Sequence, residues 1–295
     1  MKTERDLKRS LSFPSPNRQR KKKRAGAILF LAVGAIAVLS ILAIGTTSSV
    51  LQELKLAKFV TDADLSAYTV TSVIEAMKIV FANSGHPLTI ALYDLRKRDI
   101  PFGDKTSEIN FCDEERKINI AQSPKEILLR LPGLSGNASL VDTIIAAHVA
   151  AKEELLLVDG MTQGIYDQFK DLVTTYGSGG VNINTAPAQI LTVLGLDEDL
   201  IRKILEFRAG DDLLEGTEDD KYFADATQIV PLLEVQGLSA AQKASLELLI
   251  SSQRLTTSSA YIRFDMTIKR GGKAIRSFKV VLNLMGGMIV SWIEE

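Results

Sequence analysis

Residues 261–284 read YIRFDMTIKRGGKAIRSFKVVLNL. Up to Arg270 apolar and polar residues alternate, and after Gly271 and Gly272 the apolar positions again return at every second residue from Phe278 to Leu284. A period of two on both sides of a glycine pair is typical of an antiparallel hairpin. A further apolar run at 288–293 offers a third strand. The sequence therefore predicts a small C-terminal antiparallel sheet over residues 254–295.

Immediately before this hairpin, residues 116–253 have mostly helical patterning and contain an internal repeat. INIAQSPKEILLRL, from Ile118, matches VNINTAPAQILTVL, from Val181. Each copy reads as a short extended step, an Asn or Thr that can cap, a proline in the first helical turn and an apolar helix face. We predict that 116–253 is an inserted helical domain with two repeats of the SAM-like or helix-hairpin-helix-like kind.

Towards the N-terminus lies an uncharged run, which begins at Ala25 and ends at Gln52. Its core, AGAILFLAVGAIAVLSILAIG, is long enough to cross a bilayer as a helix. Six basic residues stand just before it, between Arg18 and Arg24. By the positive-inside rule the leader is cytoplasmic and the C-terminal bulk is exported. This predicts a single-pass protein of the bacterial inner membrane with a periplasmic domain.

Three interpretations of this N-terminus compete. A secretory signal is disfavoured, because its apolar region is usually about 7–15 residues and ends in a small-x-small site. A plain signal anchor and a prepilin-type junction both remain open. In the second case the basic leader, residues 1–26, is removed after Gly26, so that Ala27 becomes the mature terminus and 27–52 the transmembrane helix.

Residues 46–83 contain no proline and keep helix-compatible apolar spacing, so we predict one long helix, or two with a break near residues 61–64. LTIALYDL, at 88–95, is predicted to be a strand. Segment 53–115 is thus a stalk helix followed by the first strand region. A long N-terminal helix packed on a small antiparallel sheet, with a helical insertion, is an α+β architecture.

Several of these strings together resemble the K-type minor pseudopilin family of the type II secretion system. VNINTAPAQIL at 181–191 looks like the family's most recognisable string, and the preceding residues 152–180 and the closing residues 257–282 are similar to the family as well. The resemblance implies the pseudopilin fold and processing by a prepilin peptidase. It also implies a place at the pseudopilus tip, with the I-type and J-type minor pseudopilins, the major pseudopilin and the inner-membrane secretion platform as partners.

Leu31 is the fifth residue after the predicted junction, where most pilins resemble one another in having a Glu that pairs with the terminal amine of a neighbouring subunit. A charge without a partner is costly in an apolar bundle. The absence of this Glu favours a subunit at the tip, because no further subunit is stacked beyond a tip subunit. A minor pilin of a type IV pilus is the nearest alternative.

The charge distribution argues against a nucleic-acid partner. Residues 1–24 hold ten Lys/Arg, which leaves 25 basic and 34 acidic residues in the rest of the chain. The segment 131–148, LPGLSGNASLVDTIIAAH, superficially resembles a helix-hairpin-helix, but no Lys or Arg occurs from Leu131 to Ala151. DNA binding needs cations to neutralise phosphates. A membrane-anchored, competence-type DNA-binding protein is therefore the less favoured alternative.

One segment is a candidate metal site, AGDDLLEGTEDDKYF at 209–223. Carboxylates crowded on a glycine-bearing loop suit Ca²⁺, which takes 6–8 oxygen ligands; a solvated acidic loop is the alternative. No hydrolase elbow, phosphate loop or paired Cys/His spacing appears, so we expect no enzymatic activity. The candidate ligands are Asp211, Asp212, Glu215, Glu218, Asp219 and Asp220.

Overall fold

The computed structural model describes residues 17–83 and 88–295. Helix α1 (Asn17–Asn83) is continuous, so of the two predicted alternatives one long helix is correct and residues 61–64 contain no break. The chain divides into two compact units, Met1–Asp64 and Leu65–Glu295. The first sixteen residues of the predicted leader lie outside the described residues.

Nine strands occur in the described part of the chain. Five of them form one antiparallel sheet in the order β1-β2-β7-β8-β9, and the other four form two short parallel pairs. The strands are β1 (Arg98–Phe102), β2 (Lys105–Asp113), β3 (Ile118–Asn119), β4 (Val173–Thr174), β5 (Val181–Asn182), β6 (Leu255–Thr256), β7 (Tyr261–Arg270), β8 (Lys273–Asn283) and β9 (Met288–Glu294).

The predicted C-terminal hairpin is confirmed. β7 and β8 pair around Gly271 and Gly272, which both adopt the positive φ that glycine tolerates without strain. Ile262 lies opposite Leu282 and Phe264 opposite Val280, so the alternating apolar residues of both strands point to one face. The predicted third strand is β9, which pairs with β8.

The C-terminal part of α1 covers this apolar face. Residues at helical spacing on α1 are buried against the inward-facing residues of β2, β7 and β8. Phe111 and Phe264 meet edge to face within this core, with ring centroids 5.3 Å apart. The predicted α+β arrangement of a long helix on a small antiparallel sheet is confirmed. The α1 residues in the core are Val70, Val73, Ile74, Met77 and Phe81.

The strand predicted at 88–95 was wrong. Asp94 accepts a hydrogen bond from the backbone N–H of Ala91 at 3.0 Å, and a 3₁₀ turn follows at Tyr93–Leu95. Ile90 and Leu95 are buried, but they are five residues apart and therefore do not follow the two-residue period of a strand. Sheet pairing begins only at Arg98, in β1.

Between the sheet strands lies a helical domain with a separate hydrophobic core, which runs from Ile118 to Leu255. Most of its longer helices begin at a polar cap, as at Asn137 and Asp197, and Ser239 forms a full capping box with Gln242. Its helices are α2 (Lys125–Leu128), α3 (Ala138–Ala147), α4 (Gln163–Phe169), α5 (Ala188–Leu194), α6 (Glu198–Arg208), α7 (Ile229–Glu234) and α8 (Ala240–Ser251).

The two copies of the internal repeat have the same local geometry. β3 pairs in parallel with β4 and β5 with β6, and each copy contains a short helix after its strand, α2 in the first copy and α5 in the second. Pro124 and Pro187 are extended N-cap residues, with ψ of 156° and 159°, so they stand just before the first turn in which they were predicted. The classification of the copies as SAM-like or helix-hairpin-helix-like stays a prediction.

Arg130 connects the two copies. Its guanidinium donates to the carbonyl of Leu194 at 3.0 Å, at the C-terminal end of α5. A cation at this end of a helix satisfies carbonyls that have no partner within the helix. The two repeats therefore form one unit and not two independent modules.

Candidate functional site

The first candidate surface is the apolar exterior of α1 between residues 29 and 60. The large apolar side chains that the structure describes there are at least half exposed, and they lie on all sides of the helix. Within the described residues α1 is the one helix long and apolar enough to cross a membrane. These side chains are Leu29, Phe30, Leu31, Val33, Ile36, Val38, Leu39, Ile41, Leu42, Ile44, Val50, Leu51, Leu54, Leu56 and Val60.

The same helix has a second, narrower apolar surface in the unit that starts at Leu65. Leu65, Tyr68 and Ile79 are exposed, although neighbouring positions of α1 are buried against the sheet. This part of the helix therefore packs on its own domain with one face and offers apolar residues to other molecules with the other. The predicted processing junction, Gly26 and Ala27, lies within α1.

A buried polar junction connects the sheet to the helical domain, and sequence reasoning missed it. Asp113, the last residue of β2, is fully buried and accepts hydrogen bonds from Asn182 at 2.9 Å and from Thr185 at 2.6 Å. Ser259 donates at 2.5 Å to the other oxygen. Burial raises the pKa of Asp113 despite these donors. One carboxylate thus joins β2, the second repeat and the segment that enters β7.

Glu114 forms the charged part of this junction. Its carboxylate accepts from Lys117 and from Arg263, each at 2.7 Å, and from the Thr174 hydroxyl at 2.9 Å. Burial alone would raise the pKa of Glu114, but Lys117 and Arg263 outweigh it and hold the pKa below its usual range. Glu114 therefore stays ionised inside the protein.

Glu115 completes the junction against the loop that follows β4. Burial raises its pKa, and the nearby carboxylate of Asp113 adds to the effect, although the backbone N–H of Ala260 opposes it. Gly177 has a φ of +85°, and a Cβ there would come within 2.3 Å of the Glu115 side chain. Only glycine fits this close approach. The signal in the sequence was the run Asp-Glu-Glu-Arg at 113–116, directly after an alternating strand.

The acidic loop at 209–223 is organised mainly by its own hydrogen bonds. The Asp219 carboxylate accepts from the Thr217 hydroxyl and from the backbone N–H groups of Asp212 and Asp211, and together these donors lower the pKa of Asp219 to about 2. Asp220 accepts from the backbone N–H of Gly216 at 2.8 Å. The hydrogen bonds of these two acidic residues thus link residues near both ends of the loop.

The remaining candidate ligands each have a separate partner. Glu215 pairs with the buried Arg208, whose guanidinium also donates to two carbonyls of the second repeat. Asp211 pairs with Lys221 at 2.6 Å, and Glu218 accepts from the Tyr93 hydroxyl at 3.2 Å.

In the described part of the chain, no three His, Cys, Asp or Glu side chains are grouped so that they could hold a metal ion. The Ca²⁺ site stays a prediction. Calorimetric titration of the wild type and of Asp219→Asn with CaCl₂ would test it.

Comparison with known proteins identifies the fold. No family model and no curated protein matches the chain. A solved structure does: the crystal structure of the GspK-GspI-GspJ complex from the enterotoxigenic Escherichia coli type 2 secretion system contains a chain that superimposes with a TM-score of 0.55 at 17% sequence identity. The match covers 78% of this chain and 94% of that one. At this identity the likeness shows a shared fold, which agrees with the predicted pseudopilin fold.

Proposed function

We propose that the protein is a non-enzymatic minor pseudopilin at the tip of a type II secretion pseudopilus, where it initiates or caps assembly for protein export across the outer membrane. One observation carries the proposal: a single helix is apolar on all sides between residues 29 and 60 and then packs on a small antiparallel sheet. The first surface is exposed in the part of the chain that the structure describes, and in this proposal lipid or the helices of neighbouring subunits cover it.

The proposed topology places the leader in the cytoplasm, α1 in the inner membrane and residues from about 53 onward in the periplasm. A prepilin peptidase cuts after Gly26. The partners are the I-type and J-type minor pseudopilins, the major pseudopilin and the secretion platform. The fold likeness to a chain of the three-subunit complex supports the partnership with the minor pseudopilins.

The alternatives have less support. The helix-hairpin-helix-like segment from Leu131 to His148 contains no Lys or Arg, and two cations that precede it in the chain are already engaged: Lys125 pairs with Asp142 at 2.5 Å, and Arg130 caps α5. Phosphates would therefore find no lysine or arginine within this segment itself. A minor pilin of a type IV pilus would use the same helix. The partners of the protein therefore distinguish this alternative from the proposed role.

The test is the intact mass and N-terminal sequence of the membrane-extracted protein, made with and without a prepilin peptidase. We expect a chain that starts at Ala27 only when the peptidase is present. Gly26→Val should block the cut. Gly34→Val is the matched control, because a Cβ at Gly34 meets nothing within 4 Å, and it should be processed normally. An uncut Met1 in the presence of the peptidase, or a cut after Gly45, would contradict the proposal.

Co-expression with the I-type and J-type subunits tests the partnership. The processed chain should co-purify with both subunits from detergent extracts and should not co-purify with the minor pilins of a type IV pilus from the same cell. The reverse result would favour the pilus alternative.

A further inference from the structure

A cleft of about 370 Å³ lies between the sheet and the helical domain, on the sheet face opposite α1. Its floor consists of outward-facing residues in register on three strands: Arg263 of β7 lies opposite Val281 of β8, and Val281 opposite Ser291 of β9. The helical domain supplies the wall, with residues 151–153 and 174–176. The volume is within the range of pockets that bind small ligands or a few peptide residues, about 300–1,000 Å³.

The cations of this cleft differ in their partners. Arg263 pairs with Asp265 and Glu114, and Lys279 pairs with Glu295 at 2.5 Å. Lys152 has no ion pair among the described residues; its ammonium donates to the backbone carbonyl of Lys170 at 3.2 Å.

Burial lowers the pKa of Lys152 and the positive charges of Lys117 and Arg263 lower it further, whereas the carboxylates of Glu153 and Glu114 act in the opposite direction. Neither of these carboxylates is within ion-pair distance of Lys152, nor is that of Asp171, which also lines the cleft. Lys152 is thus a partly desolvated cation without a carboxylate at ion-pair distance, and such a group gains from a bound anion.

The rest of the lining is apolar or bears hydroxyl groups. Val281 and Ile293 contribute aliphatic surface, and the ring of Tyr176 is fixed by stacking on Tyr261, with centroids 5.7 Å apart. Thr175 and Ser291 add hydroxyl groups. Apolar walls with a few polar groups are typical of pockets that orient a ligand by one charged group and bury its apolar part.

From this geometry we propose that the cleft binds a peptide carboxylate next to an aliphatic side chain, with Lys152 as its ion-pair partner. The carboxylate belongs either to a chain terminus or to an Asp or Glu side chain of a protein that meets the periplasmic domain. The inference rests on the proposed function, because it assigns to the tip subunit a recognition site for a protein segment.

The test uses the full chain in nanodiscs of zwitterionic phospholipid, with three N-acetylated tripeptides as probes. Acetyl-Leu-Val-Leu carries a free terminal carboxylate, acetyl-Leu-Glu-Leu-amide carries only a side-chain carboxylate, and acetyl-Leu-Gln-Leu-amide is neutral. Saturation-transfer NMR titrations give a Kd for each. We expect at least one acidic probe to bind about tenfold more tightly than the neutral probe, and the acidic probe that binds more tightly identifies the source of the carboxylate.

Variants then assign the effect to Lys152. Lys152→Gln should weaken binding of the acidic probe about tenfold and leave the neutral probe unchanged, whereas Lys152→Arg should keep most of the affinity. Lys243→Gln is the matched control, because Lys243 already pairs with Glu234 elsewhere on the helical domain, and it should bind like the wild type.

Equal affinities for acidic and neutral probes, or unchanged binding by Lys152→Gln, would overturn the inference. No binding of any probe would overturn it as well. Processing of the wild-type chain at Ala27 is followed in parallel. A wild-type chain that is processed and assembles but does not bind the probes refutes the carboxylate site alone, whereas a wild-type chain that is never processed refutes the proposed function.

Discussion

The two halves of α1 contain similar residues and have different surroundings. From Leu29 to Val60 the large apolar side chains that the structure describes are at least half exposed, whereas Val70, Val73 and Ile74 are almost completely buried. In the second half the buried residues recur at helical spacing, so one face packs on the sheet. In the first half apolar residues occur on every side. The second half of this hydrophobic helix is thus a core element of its domain, and in the proposed function the first half is a surface for lipid or for other subunits.

The largest expected effect lies in the second half. Ile74→Ala should lower the free energy of unfolding by about 2–5 kcal/mol, because Ile74 is fully buried and its removal leaves a cavity. Ile79→Ala, at a position of α1 that is 63% exposed, should change it by less than about 0.5 kcal/mol. Denaturant titration followed by the fluorescence of Trp292, which packs edge to face on Phe278, measures both variants. Equal losses would show that the two faces of α1 do not differ.

In the first half of α1 we expect the introduction of a charge, and not the creation of a cavity, to have the main effect. Leu39→Arg places a cation in the apolar run, at a cost of about 2.5–3.5 kcal/mol near the centre of a membrane helix. We expect a smaller membrane fraction after alkaline extraction, with no change in the unfolding of the domain from Leu65 onward. Leu39→Ile is the control and should remain in the membrane. Full retention of the arginine variant would contradict a membrane-embedded first half.

The polar junction around Asp113 differs from both halves of α1, because it is buried but not apolar. The carboxylate of Asp113 accepts several hydrogen bonds, and Asp113→Asn replaces this carboxylate with an amide. The substitution should lower the free energy of unfolding by about 1–3 kcal/mol. Because the pKa of Asp113 is raised in the folded state, the folded protein keeps this proton to a higher pH than the unfolded chain does.

The resulting pH dependence has a defined sign. The contribution of Asp113 to wild-type stability is greatest below its ordinary carboxyl pKa, and part of it is lost as the pH rises through the raised folded pKa. The variant has no such titration, so its deficit relative to the wild type should shrink across this range. Denaturant titrations of both proteins at a series of pH values measure this change. A deficit that grows with pH would mean that the folded-state pKa is lowered.

The smallest effect belongs to the exposed face of the second half of α1. Lys78 and Glu75 form an i,i+3 ion pair at 2.6 Å, with Glu75 more than half exposed. Such pairs contribute about 0.2–0.5 kcal/mol and are screened by salt. Glu75→Gln should therefore shift the unfolding midpoint slightly at low salt and not at all at high salt. A loss comparable to that of Ile74→Ala would assign this face to the core.

Periodicity accounts for the parts of the fold that were predicted correctly. The alternation on both sides of Gly271 predicted β7 and β8, and the apolar spacing at 70–80 predicted the helix that packs on them. At 88–95 the apolar residues led to the wrong prediction of a strand, because the local turn that Asp94 makes with Ala91 competes with strand pairing. One strand was therefore predicted at 88–95, whereas β1 and β2 lie just after it within the predicted strand region 53–115 and were not predicted individually.

The polar sites were harder to predict. The acidic loop was recognisable by composition, but the partners of Glu215 and Asp211 were not, because which basic side chain each carboxylate meets depends on how the loop folds against Arg208 of α6 and on its own Lys221. For Asp113 the acidic run at 113–116 was the one signal, and it did not reveal that the carboxylate is buried. Lys152 gave no signal as a functional candidate, since a single basic residue at a segment end is normally solvated.

The sequence by itself determined the membrane-length apolar run, the hairpin, the internal repeat and the acidity of the chain after residue 24. The first three depend on the order of residues over a short window, where local sterics and hydrophobic periodicity decide the outcome. The tertiary structure alone decided which strands flank the hairpin, which carboxylates are buried and that Lys152 lies in a cleft. Those properties depend on contacts between residues such as Asp113 and Ser259, which are far apart in the chain and meet only in the folded protein.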